Sequence, residues 1–404
     1  MNPFMKPKAV LAAAGVSCAL VVALVGQKVC RAQSPLGFNN VVVYQIGDGT
    51  NALSTTTAAV SLREFTPGGT PVQTISMPGS GVGTKLVGVG TTTTEGTLSI
   101  SPDGRWIAFG GYDIGTGSSS PASSTTTSRV AGILNTTTGT YSLTPMGNGL
   151  RTSTGAAVRG VATNDGNSIW AIGSSQGLVY GSVSGGTSSF GTISSGIATN
   201  YNAISVVAGT STNLFATTNQ STNPRVGSFG PAALPSGTAT SFTVLPGLPS
   251  AGTIGAGFVL LDTNSSISGF DTLYLTDASA SATGGIYKYS LGVSGTWIAA
   301  GQLTGTSGLQ LRGLSGFVSG TSVRLFTTST STLFTYWDAD AAAGTLAGSI
   351  TTSLTSIATA PANTAFRGVI VVPEPTTVAL LAAGAVASGA ARRARRRRMR
   401  RQRI

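Results

Sequence analysis

A two-strand pattern recurs along this chain and sets the strongest limit on its fold. Each copy opens with a short apolar run, passes a Gly, Asp or Asn turn, and continues into a second apolar run that ends in small residues. Leu98–Phe109, with the turn Ser101-Pro-Asp-Gly104, is one copy, and Arg159–Ile172, with Asn164-Asp-Gly166, is another. Weaker copies begin near Ala203, Gly257 and Leu311, and a truncated one runs from Phe366 to Val372. The starts at 98, 159, 203, 257, 311 and 366 lie 44 to 61 residues apart. A strand pair repeating at that period matches a four-stranded propeller blade with generous loops.

The body, residues 33–372, is therefore expected to be all-β, a β-propeller of six blades, or seven if the 98–158 segment holds an extra one. Further runs of strand character are Val41–Ile46, Trp106–Phe109, Ile169–Ile172, Thr272–Leu275 and Arg324–Thr328. No long helical periodicity interrupts them. The N-terminal part starts where a second strand should be (Asn40–Ile46, then Ala58–Phe65 and Pro71–Met77). Pairing the last copy with these three would complete one blade and remove two exposed sheet edges. A β-sandwich or a β-helix is the competing architecture. The Ser/Thr-rich stretch Ser118–Ser128 alone would suggest disorder, but the apolar content around it argues for a folded body.

Charge separates the body from its ends. The chain carries 24 Lys and Arg against 12 Asp and Glu, a formal charge of +12. Nine of the Arg follow Ala391, and Lys6, Lys8, Lys28 and Arg31 lie near the N-terminus, which leaves 11 basic residues in the body. All acids but Glu374 lie there too, so the body is neutral. A basic surface for nucleic acid is thus not expected, because the excess charge flanks two apolar runs. Lys6 and Lys8, the apolar run Ala9–Gly26 and small residues before Gln33 form the layout of a signal peptide over residues 1–32, cleaved between Ala32 and Gln33. An uncleaved anchor is the alternative, and Lys28-Val29 before Cys30 makes a poor lipoprotein signal. Both cysteines, Cys18 and Cys30, fall in this segment, so the mature body is expected to hold no disulfide.

At the other end, Pro373-Glu374-Pro375 precedes an apolar stretch, Thr376–Ala391, and then Arg392, Arg393, Arg395, Arg396, Arg397, Arg398, Arg400, Arg401 and Arg403. The apolar stretch would span about 24 Å as a helix, short against a hydrocarbon core of about 30 Å, and its flanking Arg can snorkel. The Arg cluster (residues 392–404) would stay in the cytoplasm and the body outside. The two prolines hold the motif extended, as a protease site requires. This order of parts resembles the PEP-CTERM sorting signal of bacteria that export proteins through an exosortase. The resemblance implies the export translocon, signal peptidase and an exosortase-like membrane protease as partners. It also implies inner-membrane anchoring before processing, then a cell-surface or extracellular location, and an association with exopolysaccharide and biofilm. A plain tail anchor is the alternative. Separately, Ser101–Phe109 resembles the WD40-like repeat of bacterial periplasmic propellers, and Ile133–Leu143, with Gly139 at the turn, looks like that repeat's later hairpin.

The absence of histidine removes Ser-His-Asp and Cys-His catalysis and the usual metal sites. A carboxylate pair could still serve glycoside chemistry, but Asp48, Asp103 and Asp165 each precede Gly and read as turn residues. Asp338 and Asp340 could offer oxygen ligands to Ca²⁺, or simply hold a turn. Gly79–Lys85 has the glycines of a phosphate loop without its Gly-Lys-Ser/Thr ending. Arg159, Arg312 and Arg367 each precede Gly at the start of a copy, and could line the channel and meet anionic sugars or bond neighbouring carbonyls. Trp106, Trp170, Trp297 and Trp337 read as packing between blades. No catalytic residue, cofactor or metal is assigned. The favoured reading is a non-enzymatic surface or matrix protein, and the alternative is an extracellular polysaccharide hydrolase or lyase on the same scaffold.

Overall fold

A computed structural model of the chain describes residues 33–374, apart from residues 148 and 307 and the segments 151–155, 185–186, 195–199, 219–224, 231–232, 238–240, 250–254 and 281–283. The described part is built from repeated four-stranded antiparallel sheets. Four of these stand as separate sheets. The third unit opens with Val158–Thr163, the fourth with Tyr201–Ala208, the fifth with Gly255–Leu261 and the sixth with Leu314–Ser319. The first and second units share one nine-stranded sheet, because the short strand Val87–Val89 pairs with Thr57–Phe65 on one side and Trp106–Tyr112 on the other. Among the described residues no sheet closes on itself. Consecutive units instead pack side by side through their first strands.

The first unit draws on both ends of the chain. Ala365–Val371 pairs antiparallel with Val41–Ile46, which pairs with Thr57–Phe65, which pairs with Pro71–Ser76. The long 98–158 segment adds no further sheet among the described residues. Its extra length is an excursion over residues 113–128, which returns to the first unit through backbone bonds between Thr57 and residues 117 and 118. Arg129 holds it there, fully buried, donating to the carbonyls of Ala122, Ser124, Thr127 and Ala156 at 2.5–3.0 Å.

Both faces of most strands are buried, and the alternation of side chains explains why the sequence reads as continuous apolar runs. Val41 and Val43 point into a cluster shared with Phe326 and Leu333 of the sixth unit. Val42 and Tyr44, one residue on, point the other way to Ile107 and Phe109 of the second. Six such clusters fill the six junctions between consecutive units. Burying one Phe or Leu side chain contributes roughly 1.5–3 kcal/mol, so the junctions carry the fold.

A hydroxyl at the end of the second strand recurs as a structural device. Ser174, Thr217, Thr276 and Thr328 accept the backbone N–H of Ala157, Ala203, Gly257 and Gly313 at 2.8–3.1 Å. In the third, fourth and fifth units the ladder register shifts close to these residues, so the hydroxyl satisfies a donor that the bulge would orphan. The glycines after Arg312 and Arg367 have a related cause. A Cβ at Gly313 would lie 2.7 Å from the Val369 nitrogen, and one at Gly368 would lie 2.5 Å from the Gly96 oxygen. First strands meet there backbone to backbone, which only glycine permits.

Among the described residues no helix is long and apolar enough to cross a membrane. The sole helix described there is the single turn Ile350–Ser353. The expected signal helix and the span at 376–391 lie outside the described residues.

Candidate functional site: the central channel and its charged end

First strands and flanking residues of the first, second, fourth, fifth and sixth units line a cavity of about 280 Å³, to which the third unit's first strand, Val158–Thr163, contributes no residue. Ile204, Leu260, Leu314, Phe317, Val369 and Val371 give it an apolar wall. Arg312 is the one charged residue on that wall among the described residues. At the end where the first strands begin, a second, narrower cavity continues, and Thr97, Arg312 and Gly368 border both. Glu95, Asn202 and Arg367 complete the narrow end. The channel is therefore apolar along its length and charged at one end.

Of the three arginines singled out by their position before glycine, Arg312 and Arg367 border this end, whereas Arg159 borders neither cavity and is held by the segment 200–202. Arg367 is 2% exposed and donates to the carbonyls of Gly90, Thr92 and Phe366 at 2.8–3.0 Å. Burial pulls its guanidinium down to about 10. Arg159 donates to the side chains of Asn200 and Asn202 and to the Tyr201 carbonyl. Arg312 donates through Nη2 to Gln310 at 2.6 Å. Its Nε, like that of Arg159, is buried with no hydrogen-bond partner. Arg367 thus ties the strand that completes the first unit to the segment just after Val87–Val89, and Arg312 keeps unused donor capacity beside the cavity.

Glu95 is the carboxylate that Arg159 and Arg367 face. It accepts from the Tyr112 hydroxyl at 2.6 Å and the Val89 N–H at 3.2 Å. Burial nevertheless pushes its carboxyl up to about 7, outweighing those bonds and the two arginines. Its folded value lies above its unfolded one, so between pH 4.5 and 7 the native state holds the extra proton and stability falls as pH rises. Glu95→Gln keeps both hydrogen bonds, with the Tyr112 hydroxyl turned to accept. We expect the variant to gain on the parent by roughly 3 kcal/mol between pH 4.5 and pH 8. Urea midpoints at several pH values measure this, and parallel pH profiles would refute it.

The other candidates have structural partners. Asp48, Asp103 and Asp165 accept backbone N–H bonds from residues two or three positions on. Asp338 does not sit with Asp340 at a metal site. It is buried against Lys288 at 2.7 Å, and among the described residues no group of three or more acidic, His or Cys side chains could hold a metal. In Gly79–Lys85 the Lys85 ammonium folds back to the Gly83 carbonyl at 3.3 Å, and no helix follows. Trp170 and Trp297 are buried, while Trp337 is 48% exposed and lies under the Arg324 guanidinium. The sequence reading did not single out Glu95, Arg129 or Lys288. Glu95 follows the run Thr91–Thr94, which gives no sign of burial.

The far end of the channel carries the start of the C-terminal motif. Val372 is buried, and Pro373 lines the cavity. Glu374 is exposed and accepts from the Asn39 side-chain amide at 2.7 Å. Gln33 is half-buried, whereas Ala32, Pro375 and the whole Arg cluster lie outside the described residues.

Residues 371–397 match the PEP-CTERM protein-sorting motif. The chain is an exported protein bearing the signal that an exosortase membrane protease recognises, and it is membrane-anchored before processing. The sequence matches none of the curated proteins. Among solved structures, one chain from a nidogen/laminin complex is similar at 13% identity and a TM-score of 0.45, over 82% of this chain and 98% of that one. The β-propeller domain of Cps50 (Swd1) from Myceliophteria thermophila is similar at 10% identity and a TM-score of 0.34, over 63% of this chain and 86% of that one. Likenesses at these scores carry no weight, and the propeller-like architecture described above rests on its own strand pairings.

Proposed function

We propose that this chain is a non-enzymatic binding or structural protein of the cell surface or extracellular matrix. In this reading its body is a six-bladed propeller whose first blade is completed by the pairing of N- and C-terminal strands. It is exported by the translocon, trimmed by signal peptidase near Gln33, and held in the inner membrane by residues 376–391 with the body outside. An exosortase-type protease then acts at Pro373-Glu374-Pro375 and releases the body toward exopolysaccharide. The observation that carries the reading is the position of the sorting motif. It begins at Val371, the last residue of the strand that completes the first unit, and the chain emerges to solvent at Glu374. A cut there spares every buried residue of that unit. The turn roles of Asp48, Asp103 and Asp165 support the non-enzymatic part.

Intact-mass measurement on the protein recovered from its host tests the sorting step. The expected mass begins near Gln33 and lacks the residues beyond the motif, and a full-length mass would overturn it. Retention of the protein on host exopolysaccharide without release of reducing ends is expected. Turnover that vanishes when acidic residues at the channel mouth are replaced would decide for the hydrolase or lyase.

A further inference from the structure

We propose that the central channel binds an amphipathic monocarboxylate, its carboxylate on Arg312 and its apolar body along the first strands. Two observations meet here. The cavity is of ligand size and its wall is apolar, in the manner of small-molecule sites that add a few placed polar groups to an apolar lining. Its one charged wall residue among the described residues is Arg312, whose Nε is buried and unpaired. A buried donor without an acceptor costs about 1–3 kcal/mol, and more when charged. A carboxylate in the cavity would give the guanidinium the counter-charge that its neutral partner Gln310 does not supply.

The geometry also selects the head and the body of the ligand. A guanidinium offers a planar fork that matches a carboxylate, and Arg312 has committed only Nη2, to Gln310. Arg367, which borders the narrow cavity, spends one bond from each guanidinium nitrogen on carbonyls, and Glu95 beside it accepts from the Tyr112 hydroxyl and the Val89 N–H, its carboxyl pushed up to about 7 by burial. The narrow cavity holds only about 20 Å³ and takes a small head group, not a sugar ring. The wider one continues past Leu260, Leu314 and Val369 to Phe317 and Pro373, with no second charge on the way. An anionic polymer would need charged partners along the channel, and a simple inorganic anion would leave the apolar part unused. An alkyl chain ended by one carboxylate satisfies both ends.

Decanoate and decanol, which differ in the head group alone, provide the test on protein recovered from its host. Titration calorimetry should show one saturable decanoate site, with decanol weaker by about tenfold or more, the loss of one charge-assisted hydrogen-bonded pair. Arg312→Leu and Arg312→Gln should bring the two ligands within about twofold, and Arg312→Lys should keep much of the preference. Urea unfolding of each variant establishes that it is folded, and the neutral pair guards against failure of one. Absence of a saturable decanoate site would overturn the proposal. So would an unchanged decanoate preference in both neutral variants, or displacement of decanoate by equimolar acetate or chloride, which would mean a small-anion site.

Discussion

Lys288→Met should cost this protein about 3–5 kcal/mol of stability, the loss expected when one partner of a buried ion pair is removed. Lys288 is fully buried on the third strand of the fifth unit, Gly285–Leu291, and its ammonium meets Asp338 at 2.7 Å. Asp338 ends the third strand of the sixth unit, Thr332–Asp338, so the pair bridges two sheets. The ammonium also donates to the carbonyls of Asp340 and Gly344 at 3.3 and 2.7 Å. With Met at 288 those carbonyls lose a donor. Asp338 keeps its charge in a buried site with the Tyr274 hydroxyl, 2.6 Å away, as its remaining hydrogen-bond donor. Adding Asp338→Asn removes that charge and should recover a large part of the loss. Urea unfolding of the parent, the single variants and the double variant forms the cycle that isolates the pair. A single-variant loss below about 1 kcal/mol, the range of exposed pairs, would show that the charges are solvated.

The second large effect concerns the strand contributed by the C-terminal part. A chain ended after Thr364 should lose cooperative unfolding altogether, whereas one ended after Glu374 should unfold as the longer chain does. The shorter version lacks Ala365–Val371, the channel-side partner of Val41–Ile46, and with it Phe366, Val369 and Val371 of the cluster between the first and sixth units. Removing one buried Phe costs about 3–5 kcal/mol, and here three buried side chains and a ladder go together. That exceeds much of the 5–15 kcal/mol by which a domain is usually stable. Calorimetric scans of the two truncations decide it. A sharp transition after Thr364 would mean that the first unit stands without its first strand.

Much of this architecture is legible in the sequence. The runs Val41–Ile46, Trp106–Phe109 and Arg324–Thr328 announce themselves through β-branched and aromatic residues and fall within the strands Val41–Ile46, Trp106–Tyr112 and Ser322–Thr328, and the recurring turn residues mark where they reverse. The pairing of the last strand with the first could be expected because the pattern begins on a second strand and ends on a first one. Other features depend on distance in space. Nothing around Lys288 or Asp338 shows that residues 50 positions apart will share a buried charge. Glu95 and Arg367 are 272 positions apart, and no local pattern relates them. The Arg-Gly pairs drew attention as candidates for ligands, while the glycine proves to have the clearer reason: it lets two backbones touch. The excursion over residues 113–128 reads as low-complexity Ser and Thr, and only the fold reveals the arginine that clamps it.

The strand that opens the body and the strand that completes its first unit are separated by almost the whole of its synthesis. Val41 finds Val371 only after all the intervening residues have been made. Contacts of such sequence separation form late and slowly. Until then the apolar side of the first sheet, with Val41, Val43 and Phe65, waits uncovered. The sorting motif follows that last strand at once, so the signal for processing is read off the ribosome at the same time as the piece that makes the body whole. Order of synthesis thus ties readiness for release to completion of the fold.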